Sequence, residues 1–182
     1  MKNILLTIIA TLAVIVAGFF IYIYSGAYDI SQLTPHNKLT ESIIKITTHK
    51  SIEKRLMEIV IPSNITDTTM IVNGFIHYTQ MCVGCHNAPG FPENKFVEGW
   101  YPHPPELYKF SKEDDAREFF WITKYGIKMT SMPAFTPTVE DEKLWEVTAF
   151  VTQKLGKMTG EEYSEWVKKY IEGNKNEATN HE

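Results

Sequence analysis

The hydrophobic and polar positions fall into three regimes along the chain. Residues 4–24, ILLTIIATLAVIVAGFFIYIY, contain no charge. At about 1.5 Å per residue they cover roughly 30 Å, which predicts a membrane-spanning helix. Lys2 precedes it, and Phe19, Phe20, Tyr22, Tyr24 and Tyr28 crowd its far end. Positive-inside and aromatic-belt behaviour then put the N-terminus inside. A cleaved signal peptide is the alternative, with Ser25-Gly26-Ala27 as a cleavage site, although such apolar stretches usually run only about 7–15 residues. A buried core helix is the other alternative, and a segment with no polar face at the extreme N-terminus suits it less well.

Beyond residue 24 the apolar residues recur at helical intervals. Leu39, Ile43, Ile44, Ile52, Leu56, Met57 and Ile59 predict a connector helix, with Thr40 or Ser51 as N-cap and Pro62 as its end. It either folds back onto the rest of the chain or lies against a partner. A helix is expected from about Asp67 to Met81, with Gly74 and Tyr78 on one face. Pro89, Pro92, Pro102, Pro104 and Pro105 make residues 87–108 a loop. Ser111 is expected to cap a helix through Tyr125, with Glu113, Asp114 and Asp115 near its start and Gly126 beyond its end. Thr138 and Asp141 open the next, whose apolar face is Leu144, Trp145, Val147, Ala149, Phe150 and Val151. Thr159 and Glu162 form a capping box for a last helix to about Ile171. No strand-like alternation of any length occurs, so the class is all-α. The division reads 1–24 anchor, 25–66 connector, 67–158 main domain, and 159–182 C-terminal helix and acidic tail.

Composition narrows the partners. The 182 residues are 43% hydrophobic and 22% charged, which suits a folded chain. A net charge of −4, with no basic run, argues against nucleic acid. The only cysteines, Cys82 and Cys85, are three apart, too close to staple a long loop.

Cys82-Val83-Gly84-Cys85-His86 has the C-x-x-C-H spacing of c-type haem attachment. Two thiols at this spacing match the two haem vinyl groups, and the adjacent imidazole is placed for the iron. A thioredoxin-like pair would need a preceding strand, and structural zinc would need four ligands. The cofactor is therefore one haem c, attached through Cys82 and Cys85, with His86 as one iron ligand. Met132, stiffened by Pro133, is the candidate for the other; Met129 is the runner-up. His36, His49, His77, His103 and His181 are formal alternatives.

On these motifs the stretch from Gly74 to Leu155 resembles a class I cytochrome c domain. It is most similar to those of bacterial oxidase subunits and single-haem membrane cytochromes. The matching elements are Gly74 and Tyr78 before the cysteine motif, Pro104-Pro105-Glu106-Leu107, the stretch from Gly126 to Met132-Pro133-Ala134-Phe135, and Trp145 to Phe150. The resemblance implies three to four helices wrapped around the haem. It implies that the first and last cross at Gly74, with Tyr78, Trp145 and Phe150 packed there. It also implies that the Pro105 carbonyl accepts the Nδ1 proton of His86. Relatives of this type often carry arginine where His103 stands, so Tyr101, His103 and Trp121 are the candidates to meet a haem propionate.

With both axial positions filled by protein, substrate has no place on the iron. The expected function is one-electron transfer in a membrane electron-transport chain, without catalysis of its own. The chain acts as a tethered carrier or as a subunit of a respiratory complex. Its expected place is the cytoplasmic membrane of a bacterium, with the haem domain facing the periplasm or cell exterior. Redox proteins are its partners, and no small-molecule substrate is expected. The alternative is a haem enzyme or gas sensor with a displaceable sixth ligand.

Overall fold

The structure is a computed structural model that describes residues 1–109 and 116–173. The chain divides into two compact units, Met1–Pro35 and His36–Glu182.

The first unit is built on α1, Lys2–Tyr24. None of its residues is buried, and its apolar window reaches a mean hydropathy of 2.9. It is long and apolar enough to cross a membrane, since 23 residues extend about 34 Å.

The second unit is helical, with no strand among its described residues. Its elements are α2 (Lys38–Leu56), α3 (Thr68–Met81), α4 (Val83–His86), α5 (Ala116–Tyr125), α6 (Asp141–Gln153) and α7 (Gly160–Trp166). A wide π turn, Val167–Glu172, continues α7. The unit takes in the connector from His36 onward and the C-terminal helix as well as the segment carrying the cysteine motif.

The crossing of α3 and α6 forms the core. A Cβ on Gly74 would overlap the Glu146 carbonyl and lie 2.9 Å from Phe150 Cβ, so only glycine admits this approach. Around it Phe75, Tyr78, Val147 and Phe150 are fully buried. The Tyr78 and Phe150 rings are 5.4 Å apart. Trp145 does not join them: it stacks on Phe120 of α5 at 3.9 Å, in a second cluster with Met70, Leu144 and Ala149.

Several helix starts differ from expectation. Asn37 caps α2 by accepting the Thr40 N–H at 3.0 Å, so neither Thr40 nor Ser51 is its cap. The helix ends at Leu56, six residues short of Pro62. Ile52 is buried and α2 packs against α5, so the connector folds back. Thr138 does not open α6: its hydroxyl turns back to the Phe135 carbonyl, and the helix begins three residues later, after Glu140. The expected Ser111 cap and the acidic residues Glu113, Asp114 and Asp115 lie outside the described residues.

At the C-terminus the Thr159–Glu162 capping box is complete, with bonds of 3.2 and 3.0 Å. It launches α7 into the core. Tyr163 is 1% exposed, lies against both Phe75 and Phe91, and shares a 3.0 Å hydrogen bond with Thr79. Burying a side chain of this size contributes roughly 2 kcal/mol. Gly90 and Gly160 touch backbone to backbone, where a Cβ on either would come within 2.7 Å of the other's Cα. The C-terminal helix thus clamps the chain just after His86.

Candidate haem site

The cysteine motif is one helical turn. Cys85 and His86 both donate their N–H to the Cys82 carbonyl, at 3.1 and 2.9 Å. Residues at i, i+3 and i+4 share a face, so the turn sets two thiols and an imidazole together. Asn87 ends it at φ 57° and ψ −177°, a strained backbone conformation otherwise kept almost entirely to glycine. Its carbonyl accepts the buried Tyr78 hydroxyl at 2.6 Å. Its side chain donates to Glu106 Oε1 at 3.2 Å.

Glu106 joins the two halves of the site. Oε1 also accepts the Tyr108 hydroxyl at 2.8 Å, while Oε2 pairs with Lys109. These partners, Lys109 foremost, hold its carboxyl below the ordinary carboxylate range. The neighbouring Pro105 carbonyl lies 2.8 Å from His86 Nδ1. That bond assigns the proton to Nδ1 and leaves Nε2 with the lone pair a metal requires. Burial lowers the His86 pKa, partly offset by the Pro105 bond, which favours the neutral ring. Burial, then Cys85, pushes the Cys82 thiol up to about 12, the reverse of a redox-active thiolate pair.

The second wall is the loop after α5. Gly126 has φ +66°, and a Cβ there would sit 2.7–2.8 Å from Ala134 N, Pro133 C and Met132 O. The loop therefore folds directly onto the helix end. Ile127 N–H donates to the Met132 carbonyl at 3.2 Å, and Phe135 N–H to Thr123 at 3.3 Å. The Thr130 hydroxyl donates to the Ile127 carbonyl at 2.8 Å and accepts the Met132 N–H at 3.1 Å. Met129 takes φ 60° at the tip and is 81% exposed.

Between these walls lies a cavity of about 570 Å³. Cys82, Cys85, His86, Pro105, Met132 and His103 all line it; Met129 does not. The donor set fits a covalent haem: two thiols, one oriented imidazole and one thioether meet in a single cavity, within the size range of cofactor sites. Two expected residues lie elsewhere. Trp121 lines a separate groove between α2 and α5 and tilts against Tyr125 at 5.3 Å. Tyr101 does not line the cavity, and its ring packs edge-on against His36 at 5.5 Å. Among the other histidines, His77 pairs with Glu146 at 3.1 Å, and His181 lies outside the described residues.

Sequence reasoning passed over Asn87, Glu106 and Thr130 as parts of the site. Thr130 had a legible signal: a threonine two residues before Met132 is positioned for a local side-chain turn. The pairing of Asn87 with Glu106 had no local signal, because the two lie nineteen positions apart across a proline-rich loop.

Residues 70–151 match the family described as cytochrome C oxidase, cbb3-type, subunit III. No curated protein and no solved structure matches the chain. The matched segment runs from α3 through the cysteine turn and the Met132 loop into α6. Residues 70–151 form a c-type cytochrome domain of the oxidase-subunit kind.

Proposed function

We propose that this chain is a membrane-tethered one-electron carrier. Cys82 and Cys85 would hold one haem c by thioether bonds, and His86 and Met132 would ligate its iron. The observation that carries the reading is the shared cavity: it brings both thiols, His86 and Met132 together and leaves Met129 outside. Bound there, a haem c supplies a one-electron couple. The chain's own residues set how that couple behaves. Pro105 orients the His86 ring through Nδ1 and raises its basicity as a ligand. Thr130 and Gly126 seat the Met132 loop, whose neutral thioether favours the ferrous state over a second imidazole. His103, which lines the cavity, is our assignment for the propionate partner.

With His86 and Met132 both on the iron, it would offer no place to substrate, and the chain would work as an electron carrier without catalysis of its own. Helix α1 anchors it with the N-terminus inside. The haem domain then faces the periplasm or cell exterior of a bacterial inner membrane. The oxidase-subunit family supports redox partners in a respiratory complex.

The test is made on native, full-length protein. Haem should stay with the chain in a denaturing gel and be lost in the Cys82→Ala/Cys85→Ala variant. The ferric spectrum should show the weak long-wavelength band of sulfur ligation. Met132→Ala should abolish that band and admit carbon monoxide, while Met129→Ala should leave both unchanged. The opposite pattern would move the ligand to Met129. Carbon monoxide binding by the unaltered protein would turn the reading toward an enzyme or sensor.

A further inference from the structure

Helix α2 is apolar on two opposite sides. One side is accounted for: Ile44 and Thr48 are half-buried, Ile52 is buried, and the helix packs on α5. The other side is open. Leu39, Ile43 and Ile46 are 70%, 56% and 63% exposed, and Met57 continues the stripe at 87%. At roughly 100° per residue the first three fall within an arc of about 60°. Such a row on a folded chain marks a contact surface.

Charge identifies the occupant. Helix α2 carries five basic residues against two acidic ones, a balance of +3 in a chain whose total is −4. Glu41 and Glu53 pair with Lys45 and Lys50, leaving Lys38, Lys54 and Arg55 as the excess. Arg55 turns to the α5 side, where it bonds to Ser51, but Lys38 and Lys54 flank the open apolar row. An acidic protein with such a net-positive helix has the charge pattern of an interfacial helix on anionic lipid. Chain length agrees. Thirteen residues separate Tyr24 from Lys38, a tether of at most about 45 Å.

We propose that α2 lies on the membrane surface, with Leu39, Ile43 and Ile46 entering the headgroup boundary of an anionic bilayer. The inference rests on α1 crossing that membrane. Because the opposite side of α2 packs on α5, the contact restrains the haem domain near the bilayer plane and restricts which face a redox partner meets.

The experiment reconstitutes the full-length, haem-loaded chain in vesicles containing phosphatidylglycerol that bears a photoreactive headgroup. Adducts are mapped by mass spectrometry. They should appear both on residues 1–24 and on residues 38–57. Those on 38–57 should fall roughly tenfold in phosphatidylcholine vesicles or at about 0.5 M salt. Ile43→Glu/Ile46→Glu should remove them while leaving the haem spectrum and the adducts on 1–24 intact. Adducts confined to 1–24 would overturn the inference and leave the anchor standing. Adducts on neither segment would overturn the anchor and the inference with it. Crosslinking of 38–57 to a protein in place of lipid, in native membranes, would also overturn it.

Discussion

Gly126 tests the link between backbone geometry and the haem site most directly. Two independent costs meet there when alanine replaces it. The first is conformational: φ +66° is a left-handed position, which costs an L-residue roughly 1–2 kcal/mol. The second is steric. The new Cβ would lie 2.7 Å from Ala134 N and Pro133 C and 2.8 Å from Met132 O, against an ordinary limit of 3.4 Å. The neighbours are backbone atoms, so nothing flexible can rotate away. Either α5 loses its last turn or the 132–134 segment retreats by about 0.7 Å. Overpacking of this kind costs about 1–3 kcal/mol, giving a total near 2–5 kcal/mol. Retreat of the loop would move the Met132 sulfur with it.

The two outcomes are separable by assay. Urea unfolding of the haem-loaded protein, followed by far-UV dichroism, reads the stability loss. The long-wavelength sulfur band and carbon monoxide binding read the loop. Gly126→Ala should lose stability on the scale above, and its sulfur band should weaken. Gly99→Ala is the control, since no heavy atom lies within 4 Å of a Cβ there. It should stay within about 0.5 kcal/mol of the parent. Equal stability in the two variants, with an unchanged band in both, would refute the claim that Gly126 permits the loop's approach.

Two further outcomes test the network behind His86. Tyr78→Phe keeps the packing against Phe150 but removes the 2.6 Å bond to the Asn87 carbonyl. It should cost about 1–3 kcal/mol in urea unfolding, because a buried acceptor loses its donor; no loss would mean the bond contributes nothing. Glu106→Gln should make stability less dependent on pH. The Glu106 pKa is depressed, so its contribution is full above the ordinary value of 4.5 and fades as pH falls through the lower native one. The gap between parent and variant in thermal midpoint should therefore be widest near neutrality and close in acid. A gap that stayed constant from pH 7 to about 3.5 would rule out the charged carboxylate as its source.

What the sequence disclosed depended on how far apart the interacting groups lie along the chain. Short-range chemistry was legible. The cysteine turn, the Thr159–Glu162 box, Gly126 beyond α5 and the apolar face of α6 each involve residues within a few positions of one another. Local competition already blurred the picture at Thr138. That hydroxyl donates backward to the Phe135 carbonyl, so the helix starts after Glu140 and not at Thr138. Asn37 likewise displaced Thr40 as cap by standing three residues earlier and accepting the Thr40 N–H. The connector was harder still, because α2 has apolar residues on two sides and periodicity alone does not say which side meets the core. Ile52 answers that only once α5 is in place. The Tyr78–Asn87–Glu106 chain was invisible for the same reason at longer range. Asn87 and Glu106 are ordinary polar residues in a proline-rich stretch, and their bond exists only because the loop returns past His86. That return is also what brings the Pro105 carbonyl to His86 Nδ1. The motif itself names the residues that would hold the haem. How rigidly they hold it is set by partners nineteen residues away, and those partners are where substitutions should tune the site without removing it.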